Sequence, residues 1–350
     1  MTTRFMDRAV CKAALAGAGM LAALGIAAGA AQADDKQLAG GNSSAELRQL
    51  VDGKLQGKKV AWMPTTLGFP LTDEWTRVMA ADAAHMGIEF IVRDPNWNPT
   101  AMSQIVSALI TEKPDVLIVH NHNVQLLAKL LKKAEEAGIY VIQVNMVSNY
   151  KTDAYVGADW MEIGRMVGED VVAACGKDSG TSHKVAVVQG DLTSAASIEQ
   201  MAGFVDAVSK DDSIEIVSDQ AGNWDATKAN NITATVLQQH PDLCATFGFW
   251  GTMQNGAAQA VKAAGKLDQV KVYASGEGNR FDCDNVRDGL FYKYLNYDAP
   301  AQAHTIMNTA ALLLQSGLKP GAVKMAMYSP PTWITKENFD PAVCFDPPKS

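Results

Sequence analysis

Residues 60–75 read VAWMPTTLGFPLTDEW. Val60–Met63 is an apolar run, Pro64 and Gly68-Phe69-Pro70 interrupt it with turn residues, and Leu71–Trp75 opens an amphipathic segment. An apolar run closed by turn residues before such a segment is how an open parallel α/β sheet presents a loop at the carboxyl end of a strand. Folds of quite different activity begin this way. The stretch therefore sets the class of architecture and leaves the chemistry to the rest of the chain.

Outward from it, the pattern repeats. Strand-like runs are expected at Lys59–Met63, Glu89–Arg93, Val116–His120 and Tyr140–Asn145, and helical spacing at Thr72–Met86, Pro99–Thr111 and Val124–Ala137. Gly87 and Gly138 follow two of these helices, where a left-handed cap is wanted. After Tyr155–Ala158 the alternation restarts, with helices near 161–174, 194–209, 225–238, 253–264 and 282–288 leading to strands near 184–189, 215–218, 245–249, 270–275 and 292–297. A long helix over Ala301–Gln315, a strand near Val323–Tyr328 and a Pro-rich tail close the chain. Two serial βαβ arrays imply two Rossmann-like lobes, each a parallel sheet flanked by helices, with a cleft between. The expected division is 58–150 with 297–325 for the first lobe and 151–296 with 326–350 for the second lobe and tail. Three crossings, near Asn149–Asp159, Asn296–Ala299 and Met325–Ser329, join them.

With 350 residues, 47% hydrophobic and 19% charged, there is ample material for two cores. At the N-terminus Arg4, Arg8 and Lys12 precede an Ala/Leu/Gly-rich run, and Ala31-Gln32-Ala33 stands before Asp34-Asp35. This reads as a signal peptide over 1–33, cleaved near Ala33, with 34–57 a lead-in; Gly17, Gly19, Gly25 and Gly29 dilute the run too much for a membrane anchor. Cys11 precedes the apolar run, badly placed for lipidation. Cleavage removes three basic residues and one acidic, taking the net charge from −8 to −10. An acidic exported chain without basic clusters speaks against nucleic acid and anionic membrane as partners.

Cys175, Cys244, Cys283 and Cys344 remain, an even number in a compartment that permits disulfides. Four cysteines allow three connectivities. Cys175 precedes the second lobe's first strand and Cys244 a strand expected beside it, whereas Cys283 and Cys344 fall later in that lobe or its tail. The preferred pairs are 175–244 and 283–344.

Ligands of open parallel sheets bind beyond the carboxyl ends of the strands. Those positions hold Thr65–Phe69 with Trp75, His120–Asn123 including Asn121, Asn145-Met146, Gln189–Asp191, Trp224-Asp225, Trp250-Gly251, Gly276–Arg280 and Asn296–Asp298. Amides, hydroxyls, carboxylates and indoles together suit a pocket that stacks rings on C–H faces and hydrogen-bonds a polar rim.

The order of MPTTLGFPLTDEW, KPDVLIVHNHNVQLLAKLLKKAEEAGIYVIQVN, SAASIEQMAGFVDAV, NWDATKANNITATVLQQHPDLCATFGFW and MQNGAAQAVKAAG behind a signal peptide resembles type I periplasmic solute-binding proteins of the ribose-binding group, which serve ABC sugar transporters. The similarity covers about Lys58 to Tyr328. It implies the two-lobed type I fold, a sugar or polyol as ligand, and an inner-membrane permease and ATPase as partners. The stacking aromatics of the first loop then correspond to Phe69 or Trp75. The family's Asp-Arg clamp falls on Asn145-Met146, its arginine on Gln200, its aromatic before Asp on Trp224, its asparagine near Trp250, its aspartate on Gly276 or Glu277, Glu277-Gly278 being the better chemical match, and its hinge glutamine on Asn296. The charged clamp is thus missing. A charge-assisted hydrogen bond contributes about 1.5–3 kcal/mol against about 0.5–1.5 for a neutral one, so ribose in the family pose is not expected. An uncharged sugar, deoxysugar or polyol is, with Arg280 the one candidate for a replacement cation.

Other chemistries find less support. His120 and His122 stand at a strand end without a third ligand, so no metal is expected. There is no Gly-x-Gly-x-x-Gly, Gly-x-Ser-x-Gly or Walker motif, and no cofactor is implied. Glu277 with Asp225 is the single carboxylate pair that a glycosidase on this fold would use. The expectation is a monomeric, non-enzymatic exported receptor that closes on its solute, or else a periplasmic sensory protein feeding a chemoreceptor or sensor kinase.

Overall fold

The computed structural model describes residues 44–347. The expected signal peptide with its Ala33 site, Cys11 and the first part of the lead-in lie outside the described residues. In chain order the elements are α1 (Ser44–Leu55), β1 (Lys59–Met63), α2 (Pro70–His85), β2 (Glu89–Val92), α3 (Pro99–Glu112), β3 (Val116–Val119), α4 (Ala128–Glu136), β4 (Tyr140–Val144), β5 (Ala154–Ala158) and α5 (Trp160–Cys175). They continue with β6 (Lys184–Val188), α6 (Ala195–Val208), β7 (Glu215–Ser218), α7 (Ala226–Gln239), β8 (Ala245–Gly248), α8 (Gly251–Ala263), β9 (Lys271–Gly276), α9 (Arg280–Arg287), β10 (Lys293–Asn296), α10 (Ala299–Ser316), β11 (Met325–Ser329) and β12 (Thr332–Ile334).

Two six-stranded sheets result, ordered β11-β5-β4-β3-β1-β2 and β12-β10-β9-β8-β6-β7. The first is parallel throughout, and in the second only β12 runs antiparallel, against β10. Period-two alternation in β1 turns Val60 and Trp62 to one apolar cluster with Trp75, Val78 and Met79 of α2, and Ala61 and Met63 to another with Met102 and Val106 of α3. That burial on both faces is why the strand reads as an unbroken apolar run.

The sheet pairings correct the expected lobe boundaries. β5 pairs with β4 and β11 pairs with β5, so residues 154–158 and 326–329 belong to the first sheet, not to the second lobe. The three crossings fall within or at the end of the expected ranges, at Asp159, where β5 gives way to α5 packed on α6, at Tyr297-Asp298, and after Ser329. The expected Pro-rich tail contributes β12 directly after Pro330-Pro331, because proline is tolerated at the start of an edge strand.

Gly164 and Gly203 let α5 and α6 approach closely: a Cβ on either would stand 2.0 Å from a carbonyl oxygen of the other helix. Two disulfides, Cys175–Cys244 and Cys283–Cys344, lie in the second lobe and its tail, as the pairing by chain order anticipated.

Candidate functional site

A cavity of about 60 Å³ opens between the lobes at the carboxyl ends of the strands. The first lobe lines it with Thr65, Phe69, Leu71, Thr72, Trp97, His120, Asn145 and Met146, the second with Trp160, Ala196, Trp224, Phe249 and Trp250, and the crossing with Tyr297.

Each ring is held by local structure. Phe69 is the N-cap of α2, preceding Pro70, and Trp250 is the N-cap of α8. Trp97 and Trp224 both sit in the left-handed region, at φ 57° and 62°. Bulky residues adopt that region only where the surroundings impose it, at a cost of about 1–3 kcal/mol. Around Trp224, Asp225 caps α7 by accepting from Lys228 N at 2.8 Å, and the ring lies over Gly190. Asn145 is left-handed too (φ 54°); its Oδ1 accepts from Ala158 N at 2.9 Å and from Gln302 Nε2 at 3.3 Å, and its carbonyl accepts from Trp160 Nε1.

The rings meet across the cleft. Phe69 of the first lobe packs edge-on against Trp250 of the second, centroids 5.6 Å apart, and Trp250 meets Trp224 at 6.5 Å. At the rim Val124 N–H donates to Thr193 O at 3.0 Å, and His122 Nε2 stands 3.7 Å from Asp191 Oδ2. These lobe-to-lobe contacts define a closed arrangement.

Of the ten residues expected at the ligand, Phe69, Asn145, Met146, Trp224 and Trp250 line the cavity. The other five do not, each for a stated reason. Trp75, one turn into α2, points back onto the sheet and packs against Trp62 and His120. Asn121 donates to Gln143 Oε1 at 2.7 Å and Met146 O at 3.0 Å, tying strand ends together. Gln200 accepts from Ser275 Oγ at 2.8 Å and donates towards Ala196 O and Phe249 O. Asn296 accepts from Asp298 N at 2.7 Å and donates towards Val343 O, holding the crossing.

Glu277 is buried behind the rings, accepting from Trp250 Nε1 and Asn279 Nδ2, both at 2.8 Å, and hydrogen-bonded to the Tyr297 hydroxyl. Asn279 also donates to Asp282 Oδ2 at 2.8 Å. Burial raises both carboxyls, and Glu277 adds its repulsion at Asp282. Glu277 and Asp225 therefore form no carboxylate pair at the cavity: one orients rings and the other caps a helix. Arg280 does not supply a cation either, since it holds the tail through Asp346 Oδ1, Pro341 O and Cys344 O.

His120, expected only as part of a strand end, lines the cavity as a neutral ring; burial, then neighbouring His122, pushes it down to about 3. Trp97, Trp160, Phe249 and Tyr297 were outside the expected set. Trp160, Phe249 and Tyr297 lie within two residues of a strand's carboxyl end or a lobe crossing, the signal that marks them, whereas Trp97 lies in the longer loop between β2 and α3.

The sequence matches the periplasmic binding protein domain over residues 60–319. The chain belongs to the periplasmic binding protein family. Among relatives of this periplasmic binding protein, the D-ribose/D-allose-binding protein of Pseudomonas aeruginosa is 32% identical over 176 residues, 48% of this chain and 54% of that one. The ribose import binding protein of Bacillus subtilis is 24% identical over 64% of this chain and 71% of its own. A solute-binding protein from Mycobacterium smegmatis, solved with bound glycerol, superposes with a TM-score of 0.74 at 26% identity, over 83% of this chain and 98% of that one. The Caulobacter myo-inositol binding protein gives 0.72 at 24% identity over 80% and 94%, a likeness of fold.

Proposed function

We propose that the protein is the exported solute receptor of an ABC importer, binding an uncharged sugar- or polyol-like solute between its lobes and presenting the closed form to a membrane permease and its ATPase. The observation that carries this reading is the inter-lobe cavity itself: rings from both lobes converge on it, and lobe-to-lobe contacts at its rim exist only when the cleft is shut. A solute that touches both walls binds the closed form better than the open one, and that difference is what drives closure. Relatives named for ribose, allose and apiose, and a glycerol-bound structural neighbour, support the solute class. Neither Asp225 nor Glu277 reaches the cavity, so the reading is a non-enzymatic one. We read the mature protein as a periplasmic monomer beginning near Asp34.

The experiment is a thermal-shift screen of mature protein against pentoses, hexoses, deoxysugars, polyols and amino compounds. Stabilisation by a neutral hydroxylated solute, at micromolar affinity or about −8 kcal/mol, is the expected result. Stabilisation by charged amino acids alone would refute the reading.

A further inference from the structure

The two walls of the cavity differ in chemistry. Four of the lining side chains that carry hydrogen-bonding atoms, Thr65, Thr72, neutral His120 and Asn145, come from the first lobe, and the Tyr297 hydroxyl of the crossing is engaged by Glu277. The second lobe lines it with Trp160, Ala196, Trp224, Phe249 and Trp250. On that wall the Trp160 N–H is spent on Asn145 O and the Trp250 N–H on Glu277. Trp224 Nε1 is left as its one side-chain donor without a partner among the described residues, and there is no side-chain acceptor. The helix starts at the wall are occupied too: Asp159 caps α5, Ser194 caps α6, and the Asp282 carboxylate lies against Gly251 at the start of α8.

A ring or chain hydroxylated on both faces fits less well here, because a hydroxyl turned to the second lobe would give up water and meet no side-chain acceptor, only the Trp224 N–H. We infer that the solute is facially amphipathic: a neutral small polyol or sugar whose hydroxyls lie on one face, met by the first lobe, and whose other face is an unbroken C–H or methyl surface, met by the second. Aromatic rings complement such a surface, since polarised C–H groups meet the negative face of the π system. Glu277 strengthens this by accepting from Trp250 and Tyr297 on the side away from the cavity. A cation would use the same rings, so a cationic probe and its neutral isostere have to be compared directly.

The inference rests on the receptor reading and is tested separately from it. Calorimetry on the mature protein would compare cis,cis-cyclohexane-1,2,3-triol with myo-inositol, D-fucose with D-galactose, and choline with its neutral isostere 3,3-dimethylbutan-1-ol. The expected result is that the less hydroxylated member of each sugar or polyol pair binds at least about tenfold tighter, that preference shrinking in Trp224→Ala. If myo-inositol or D-galactose binds as well as its partner, the receptor reading stands and facial amphipathicity is wrong. Preference for choline over its isostere would assign the rings to a cation and also overturn the inference. Silence from every probe would count against the receptor reading itself.

Discussion

Trp224 lies over Gly190 so closely that a Cβ on the glycine would stand 2.1 Å from the indole carbons. The loop after β6 thus serves as a seat for the ring that α7 delivers from a left-handed position, and the seat needs the missing side chain. Gly190→Ala is therefore expected to push the indole into the cavity or away from it. Solute affinity should fall by about tenfold or more, with a drop in melting temperature as well, since Trp224 also packs against the core. Calorimetry beside near-ultraviolet circular dichroism reads both, and wild-type affinity would show that the ring is not part of the site.

Phe69 and Trp250 are the rings that bring the lobes together. An aromatic pair contributes about 0.5–1.5 kcal/mol beyond its burial, and this one forms only on closure. Phe69→Ala should raise the solute dissociation constant by roughly 2- to 10-fold and shift the unliganded protein towards an open form, visible as a larger radius of gyration by small-angle scattering. An unchanged scattering curve and unchanged affinity together would remove this contact from the closing mechanism.

The alternation of strands and helices was legible because strands buried on both faces carry an uninterrupted apolar signal, as Val60–Met63 and Val116–Val119 do, and both disulfides were legible from chain order. The site was legible by position more than by residue. Trp224 and Trp250 stood out as indoles at strand-to-helix junctions. Trp75 looked equivalent by spacing, but a residue six beyond the N-cap of α2 faces the sheet. Glu277 and Gln200 aligned with ligand contacts of relatives, yet here their hydrogen bonds go to Trp250 and Ser275. Alignment transfers position, and what a side chain does depends on the neighbours it finds. The boundary at residue 150 failed similarly, since strand patterning does not say which sheet Ala154–Ala158 will join.

Cys175–Cys244 closes a separation of 69 residues and Cys283–Cys344 one of 61. In the chain-entropy account, loops of this size give about 4 kcal/mol each. The two should nonetheless respond differently. Cys283–Cys344 shares its load with Arg280, which binds the tail at Asp346 and two carbonyls, and with a backbone bridge between Asn279 and Phe345. Replacing both cysteines of the 175–244 pair by serine should lower urea-unfolding stability by about 3–4 kcal/mol, and the 283–344 pair by less. Mass mapping of unreduced peptides should show both links; four free thiols would contradict them.

His120 gives the cavity a pH signature of known sign. Burial, with His122 second, holds its imidazole down to about 3, against an unfolded value near 6.5. Between those limits the unfolded chain binds a proton that the folded chain refuses, so this residue's contribution to stability is complete above pH 6.5 and is lost as pH falls towards 3. The full loss is of the order of 3–5 kcal/mol. The buried carboxyls Glu277 and Asp282, with raised values, act in the opposite sense and lose stability as pH rises through their folded values. His120→Gln should remove only the histidine limb: the stability difference between wild type and variant, followed by urea unfolding from pH 7 to pH 4, should shift steadily in the variant's favour as the solution is acidified. Parallel curves would mean that His120 takes up its proton in the folded state. Because the ring stays neutral from pH 5 to 8, solute affinity should not change through this group across that range, and calorimetry at pH 5.5 and 7.5 checks it.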